Sequence, residues 1–574
     1  MFRRIKNPLV IPMIWLFSIL VYLLTIYEIS NLEKGLVEYL ILKSETFLFF
    51  LTFILFIIFL FLSRKEIARL IRGSDLRLAI IVFLVALIVR EIVPPKTTRL
   101  FFDEDIYLDM AKQIVTHFSS CLCDYGDRFS CFKCELMKWS VGHPFLISLA
   151  FFIFGIKEEV ARHLTIFISS VSTIFVYFSS YLLFRNNRKA FFSSLILALL
   201  PVHILWSPTL AADVTFSFFV SFLFFFIALS SNTKNLKIHT ISLLSLVLAV
   251  QAKTEGIILI FLYFLSHFIL NKKYLLMFYS RKYLYSLSFS FLLLSAYFLH
   301  LFYAWKVDTW GSTGEKMSLE YFKQNFYPNA GFWFEIAKKN EKWVYEGKQL
   351  YHPVPFTILA ILGACYLLVK NHRLFLFFTI WFLSLFLLYS SFYAGSVYYG
   401  VDVRYVLVQF IPFSFLSGFG AFFLSEMLSK IIDNRVALFL VLMLLLSVFI
   451  PYISKMSMSE ENIEESYGAR LYRKAAISFA SEYPHDCYFI SHVSSLYSWL
   501  GKRHLQIWYV YEPNFEEIVR DECVIFDEGY WCAIGVTESK SCLEFENRYN
   551  LELIKRTIDE KENKIYSFYR VYAK

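Results

Sequence analysis

Charge is scarce in this 574-residue sequence: Asp, Glu, Lys and Arg make up 18%, against 57% hydrophobic residues. Soluble globular chains carry about 25% charged and roughly 45–50% apolar residues. The deficit excludes a water-soluble main body. Internal repeats and low-complexity linkers are missing too, which excludes repeat arrays and disordered spacers. No nucleotide-binding glycine loop is present in the polar tail, where "EGYWCAIG" is too sparse in glycine. The N-terminal "MFRRIKNPLVIPMIWLFSILVYLLTIY" has a long apolar run and no small-residue cleavage site after it, so it reads as a retained first span rather than a signal peptide. The formal charge of +9 does not indicate nucleic acid, because the basic residues sit in short loops between apolar runs.

What the sequence does hold is apolar runs long enough to cross a hydrocarbon core, with a mean hydropathy of +0.54. Thirteen candidate spans fall at about 8–28, 45–63, 78–94, 160–184, 189–207, 212–230, 239–252, 256–271, 283–304, 354–370, 373–392, 404–424 and 436–453. With the N-terminus cytoplasmic, alternate loops should be basic, and "SRKEIARLIRGSDLR", "RNNRK", "SSNTKNLKIH", "NKKYLLMFYSRKY", "KNHR" and "SKIIDNR" are. The thirteen-residue "HPFLISLAFFIFG" is short for a span and reads as an interfacial or re-entrant helix on the outer side. The expected fold class is a polytopic α-helical membrane protein of about 13 transmembrane helices, with interfacial helices in its outer loops and a small C-terminal extracytoplasmic α/β domain.

Three outer regions stand out. The first loop, 95–159, contains an amphipathic helix over 104–118, with Ile106, Met110, Ile114 and His117 on one side and Asp105, Asp109 and Lys112 on the other, solvated side. A later loop, 305–353, is rich in aromatics and charge. The tail, 454–574, is polar: "CYFISH", "LQIWYVY" and "CVIFDE" read as strands, "SSLYSWL" and "NFEEIVRDE" as helices, and "LELIKRTI" with "KIYSFYRVYA" as a hairpin. Of nine cysteines, Cys365 falls inside a span. Cys121, Cys123, Cys131 and Cys134 fall in the first outer loop, and Cys487, Cys523, Cys532 and Cys542 in the tail. Even numbers on the outer side suit disulfides in an oxidising compartment. Zinc and redox chemistry stay open for the first cluster, although its Cys-x-Cys and Cys-x-x-Cys pairs lie closer together than in most zinc modules.

Charged groups at membrane depth are costly and invite a functional reading. Asp103, Glu104 and Asp105 follow the third span, and His143 opens the re-entrant segment. Asp213 begins a later span, Lys253 and Glu255 occupy the turn "QAKTEG", and Arg404 and Tyr405 begin a late span. Singly, each has a plain alternative, such as helix capping by Asp213, pairing of Lys253 with Glu255, or snorkelling of Arg404. Together they come from separated segments yet share one membrane surface, where helix packing would gather them into one cavity. Carboxylates there serve as general base toward a hydroxyl, and Lys and Arg hold a phosphate.

These residues resemble the motifs of the GT-C superfamily of integral-membrane glycosyltransferases, in the branch of protein O-mannosyltransferases and lipid A aminoarabinose transferases. The resemblance covers 78–453. "DEDIYLDMAKQI" is similar to the acidic motif of the first outer loop, and "GHPFLISLAFFIFG" to the Lys/His-Pro-Pro segment leading to Phe-Gly. "LPVHILWSPTLAADVTFSFF" resembles the Pro…Asp stretch, and "VRYVLVQFIPFSFLSGFG" the Arg-Tyr…Pro…Gly segment. Ile106 stands where the aminoarabinose branch has a basic residue, and Phe145 replaces the second proline after His143.

The two N-terminal helices (1–77) precede the usual first span of the family, and the extracytoplasmic domain (454–574) is similar to it in position only; the resemblance implies a catalytic transmembrane domain over 78–453. It implies transfer of a sugar from a polyprenyl-phosphate (dolichyl-phosphate-type) donor to an acceptor hydroxyl of a protein, glycan or lipid, by inversion, on the extracytoplasmic face. Asp103, Glu104 and Asp213 would be catalytic, and His143, Lys253 and Arg404 would bind the donor phosphate. Tyr107, Glu255 and Tyr405 are further candidates. Asp103 and Asp105 resemble an Asp-x-Asp pair that would hold Mg²⁺ or Mn²⁺ if a metal took part. Two other classes compete. A secondary transporter would want mid-span charges and repeats, and a non-catalytic scaffold would simply display the tail.

Overall fold

The computed structural model describes residues 34–100, 102–271, 280–306, 316–334, 352–397, 400–456, 467–483, 486–534, 539–560 and 563–574. The expected span at 8–28 and much of the loop 305–353 lie outside them. The described chain is predominantly helical. Seven of its helices are long and apolar enough to cross a membrane: Leu36–Leu70, Glu158–Phe184, Ala212–Ser231, Arg281–Tyr303, His372–Ser390, Phe410–Leu428 and Asn434–Ile453. Shorter apolar helices are Gly142–Phe154, Leu236–Val250, Thr254–Leu270 and Val354–Lys370.

Among the described residues, the expected spans coincide with helices, with three differences in detail. The run 189–207 is two helices, Asn187–Leu199 and Pro201–Trp206. Leu200, preceding the proline, is extended at ψ 116°, as the proline ring requires of its predecessor. Pro201 brings no N–H to the carbonyl of Leu197, and the break also frees Ala198. Buried Arg90 donates to both, at 3.1 Å and 3.2 Å, and its Nε donates to Ser169 Oγ at 3.0 Å. The run 283–304 is interrupted between Arg281–Leu293 and Ser295–Lys306. The run 404–424 begins as a 3-10 turn, Gly400–Val406, and turns α-helical only at Phe410.

Helices Val354–Lys370 and Phe410–Leu428 pack backbone to backbone. A Cβ on Gly363 would lie 1.9 Å from the Leu416 carbonyl oxygen, and one on Gly420 would lie 1.9 Å from that of Leu359. Where lipid tails remove the hydrophobic drive between helices, such small residues permit the close approach that dispersion needs.

Seven strands form one sheet: β1 (Leu122–Gly126), β2 (Cys131–Glu135), β3 (Tyr488–Ser491), β4 (Arg503–Gln506), β5 (Val524–Glu528), β6 (Tyr549–Asp559) and β7 (Lys564–Ala573). Their order is β2-β1-β4-β3-β5-β7-β6. β3 runs parallel to β4 and β5, and the other pairs are antiparallel. The tail strands and the final hairpin fall where the sequence placed them, except that "LQIWYVY" leaves the sheet after Gln506 and continues as the 3-10 turn Ile507–Tyr511. The sheet is not built from the tail alone, for β1 and β2 come from the first loop. The eight cysteines expected outside are paired as 121–134, 123–131, 487–523 and 532–542.

Helix Asp103–His117 lies between this sheet layer and the bundle, which corrects one expectation. Asp105 and Asp109 are not solvated but buried. Asp105 accepts from Arg473 through both oxygens (2.8–3.1 Å) and from Trp499 Nε1 at 2.9 Å. Asp109 accepts from the Ser498 hydroxyl, from the Cys123 amide at 2.9 Å and from Gln113 at 2.9 Å. Helical periodicity separates polar from apolar faces; it cannot say whether water or a polar protein surface covers the polar one.

Candidate functional site

Phe102 and Asp103 begin the site. Phe102 has φ 81°, ψ −56°, a region that L-residues seldom enter and that persists only where the surroundings enforce it. Its buried ring meets Trp531 of the tail edge-on at 6.3 Å. The turn is fixed from behind by Glu104. One Glu104 oxygen accepts from the amides of Arg99 (2.7 Å) and Leu100 (3.0 Å), and the other accepts from Leu210 N at 3.1 Å and lies 3.4 Å from Arg162. Asp103, the first residue of the helix, faces a cavity of about 380 Å³, and its side chain keeps 30% of its exposure.

Opposite stands a group assembled from three segments. Lys253 Nζ donates to Asp213 Oδ1 at 2.8 Å and lies 3.0 Å from Glu255 Oε1. Arg404 reaches Asp103 Oδ2 at 3.5 Å from Nη1 and Asp213 Oδ2 at 3.8 Å from Nε, and it donates to the Tyr405 hydroxyl at 3.2 Å. Lys253 also sits over the ring of Tyr405 (4.6 Å), which stacks on Tyr389 at 4.9 Å. Burial opposes the charge on Lys253, but Asp213 and Glu255 outweigh it and hold the ammonium well above its ordinary pKa. Burial and the nearby Asp103 and Asp213 push Tyr107 up, so its phenol stays protonated.

The turn carrying Lys253 is pinned. The Gly142 amide donates to Gln251 O at 2.9 Å, and a Cβ on Gly142 would approach that oxygen to 2.6 Å. The Tyr297 hydroxyl donates to the Lys253 carbonyl at 3.1 Å. Behind Met137, buried His300 links the Met137 carbonyl to Glu45, at 2.5 Å each way, and so holds the segment leading to Lys138 and Trp139.

Asp103, Tyr107, Asp213, Lys253, Glu255, Arg404 and Tyr405 thus line one cavity. Glu104 is next to it but faces away, all its oxygens taken. His143 is fully buried, its Nε2 donating to Leu210 O (2.7 Å) and its Nδ1 accepting from the Thr215 hydroxyl (2.7 Å), with Tyr107 edge-on at 4.7 Å. It therefore braces Tyr107 and offers no free nitrogen to a phosphate. Asp105 points to the opposite side, where Arg473 fills the place a cation would take, so Asp103 and Asp105 do not form a joint Mg²⁺ or Mn²⁺ donor set. Sequence reasoning missed Lys138, Trp139, Lys316 and Tyr393, which also line the cavity. Lys138 and Trp139 carried a signal, lying just before the "VGHPF" stretch; Lys316 and Tyr393 sit in loops with no local pattern.

The lining combines three carboxylates with four cations. One acid is open to solvent, and two of the cations are held in place by counter-carboxylates. Such an arrangement binds an anion and offers a base beside it.

Residues 139–303 match the family described as dolichyl-phosphate-mannose-protein mannosyltransferase. No curated protein matches the sequence. Among solved structures the chain is similar to ArnT from Cupriavidus metallidurans in the apo state, at 12% identity over 85% of this chain and 97% of that one, TM-score 0.54. It is also similar to the apo oligosaccharyltransferase of Archaeoglobus fulgidus, at 12% identity over 83% and 69%, TM-score 0.48. The GT-C resemblance read from the four sequence motifs is borne out, and the first of these likenesses gives the fold.

Proposed function

We propose that this chain, which has the fold of a GT-C membrane glycosyltransferase, transfers a sugar from a polyprenyl-phosphate donor to an acceptor hydroxyl at the sheet-bearing, extracytoplasmic side of the membrane. The observation that carries this reading is a solvent-reachable carboxylate, Asp103, 3.5 Å from Arg404 in a cavity that Lys253 also lines, with both cations tied to Asp213. The family matched over 139–303 supports it by name, as a dolichyl-phosphate-mannose family.

In this mechanism the donor phosphate enters between Lys253 and Arg404, whose charges stabilise it as it leaves the anomeric carbon. Charge-assisted hydrogen bonds to ionised groups contribute about 1.5–3 kcal/mol each. Asp103 accepts the proton of the attacking hydroxyl, which approaches the sugar from the face opposite the phosphate, hence inversion. Asp213 positions the two cations, Glu104 fixes the turn that aims Asp103, and the protonated Tyr107 donates to sugar or phosphate oxygen. No step is routed through a metal ion.

The test uses membranes containing the full chain, supplied with labelled polyprenyl-phosphate sugars. Transfer of label to an endogenous acceptor is expected, and Asp103→Asn abolishes it while leaving expression and thermal unfolding unchanged. An active Asp103→Asn enzyme sinks the assignment. Movement of unreacted donor across the membrane without transfer would indicate a transporter.

A further inference from the structure

Glu45 and His300 pair inside the apolar helices Leu36–Leu70 and Arg281–Tyr303, and neither lines the cavity around Asp103. Glu45 is fully buried. One of its oxygens has no hydrogen-bond partner, and the other lies 2.5 Å from His300 Nδ1. On the far side of the ring, Nε2 lies 2.5 Å from the Met137 carbonyl oxygen. Ionisable groups within spans are costly and mark function by default. A carbonyl oxygen and a carboxylate both only accept, so the two bonds need two protons. Wherever the second proton rests between Nδ1 and Glu45, the pair is neutral overall and Nε2 keeps its N–H on Met137.

The helix that carries Glu45 grips the first outer loop at successive points. Lys43 Nζ donates to the His117 carbonyl at the end of helix Asp103–His117, and Thr46 Oγ1 accepts from the Ser120 amide at 3.1 Å. Glu45 reaches Met137 through His300. One helical turn thus holds both ends of the stretch 117–137, which contains the β1–β2 hairpin with its disulfides 121–134 and 123–131. Directly after Met137 come Lys138 and Trp139, both in the cavity wall, with the Trp139 ring edge-on to Tyr107 at 6.5 Å. The same wall is joined to the turn of Lys253. The Thr254 hydroxyl donates to the Lys138 carbonyl at 3.1 Å. Tyr297, one turn before His300 on its helix, donates to the Lys253 carbonyl at 3.1 Å.

We propose that Glu45 and His300 are positioning residues for the donor end of the cavity: they fix the Met137 carbonyl, and through it the placement of Lys138 and Trp139 beside Lys253. This role rests on the glycosyl-transfer reading. It makes donor binding depend on helix Lys34–Leu70, which precedes the usual first span of the family that the motifs resemble.

Membranes containing the full chain, supplied with labelled polyprenyl-phosphate sugars, test it by steady-state kinetics. His300→Asn keeps a donor where Nδ1 faces Glu45 and loses the one toward Met137. It is expected to raise KM for donor roughly tenfold, with kcat at saturating donor within about twofold of the parent's. Glu45→Gln, whose amide donates to Nδ1 while the Nε2–H stays on Met137, is expected to keep both constants of the parent. Glu45→Leu/His300→Leu exchanges the pair for apolar groups, so Tm of the purified protein recovers toward the parent's while donor KM stays raised. An unchanged donor KM in either His300 variant overturns the role. So does a donor KM that tracks Tm across the variants, which marks a merely structural pair. A parent that transfers no label from any donor sinks the glycosyl-transfer reading and this role with it; a transferring parent with either of those outcomes sinks the role alone.

Discussion

At the scale of single residues, the site separates groups that meet the reactants from groups that hold them. Lys253→Ala and Arg404→Ala each remove a cation from the proposed phosphate site, and each should raise KM for donor about tenfold or more, in line with about 1.5–3 kcal/mol per charged contact. Steady-state kinetics with labelled donor checks this. Glu104→Gln keeps the size of a group that accepts three amides and pairs with Arg162, so it should lower kcat and Tm together while leaving donor KM near the parent's. Asp103, Asp213, Lys253 and Arg404 were legible in sequence because charge beside apolar runs is conspicuous. The parts played by Glu104 and His143 were not. Both sit within those motifs, and only three-dimensional hydrogen bonding shows that their polar atoms are used up inside the protein.

At the scale of elements, helix Asp103–His117 joins two layers. Its Asp105–Arg473 pair is buried and bidentate, and breaking such a pair costs about 3–5 kcal/mol because one charge stays behind unpaired. Asp105→Asn should therefore lower Tm by several degrees, equally with and without added Mg²⁺. Asp105→Asn/Arg473→Met, which removes both charges, should recover part of the loss. Differential scanning fluorimetry of the purified protein measures both. The helix itself, its limits and its two-faced pattern were readable from sequence. Its covering was not, because the partners Ser498, Trp499 and Arg473 lie in the tail, far along the chain. The proline break after Leu199 was also hidden. Its compensation, Arg90 donating to the stranded carbonyls, comes from another helix.

At the scale of the whole molecule, the polar tail and its strands were visible in composition and pattern, while the two strands that the first loop adds to the same sheet were not. Cysteine parity pointed to disulfides, and each pair forms within its own cluster, at sequence separations of 13, 8, 36 and 10. The tail also carries a built-in pH response. Asp527 is buried and accepts from the hydroxyls of Tyr497 (2.7 Å), Ser491 (2.9 Å) and Tyr472. Burial raises its pKa from 3.8 to about 6, against the pull of those hydroxyls. A raised carboxyl favours the folded state while protonated, so this contribution is complete below the unfolded value and is lost as pH climbs through about 6. Thermal unfolding of parent and Asp527→Asn across that interval should show the parent losing Tm relative to the variant as pH rises.

The sheet has one more consequence, for the order in which the chain is made. His504 of β4 bonds the carbonyl of Cys123 in β1, 381 residues earlier. The hairpin of β1 and β2 therefore leaves the ribosome, closes its own two disulfides and then waits for the rest of the bundle to be synthesised. At 5–20 residues per second the wait is roughly 20–80 s. Throughout that interval the edge of β1 that β4 will occupy offers unpaired backbone groups, the kind of edge that captures stray strands. Chains truncated before β4 should thus be held by chaperones or degraded, even though every spanning helix is already in place.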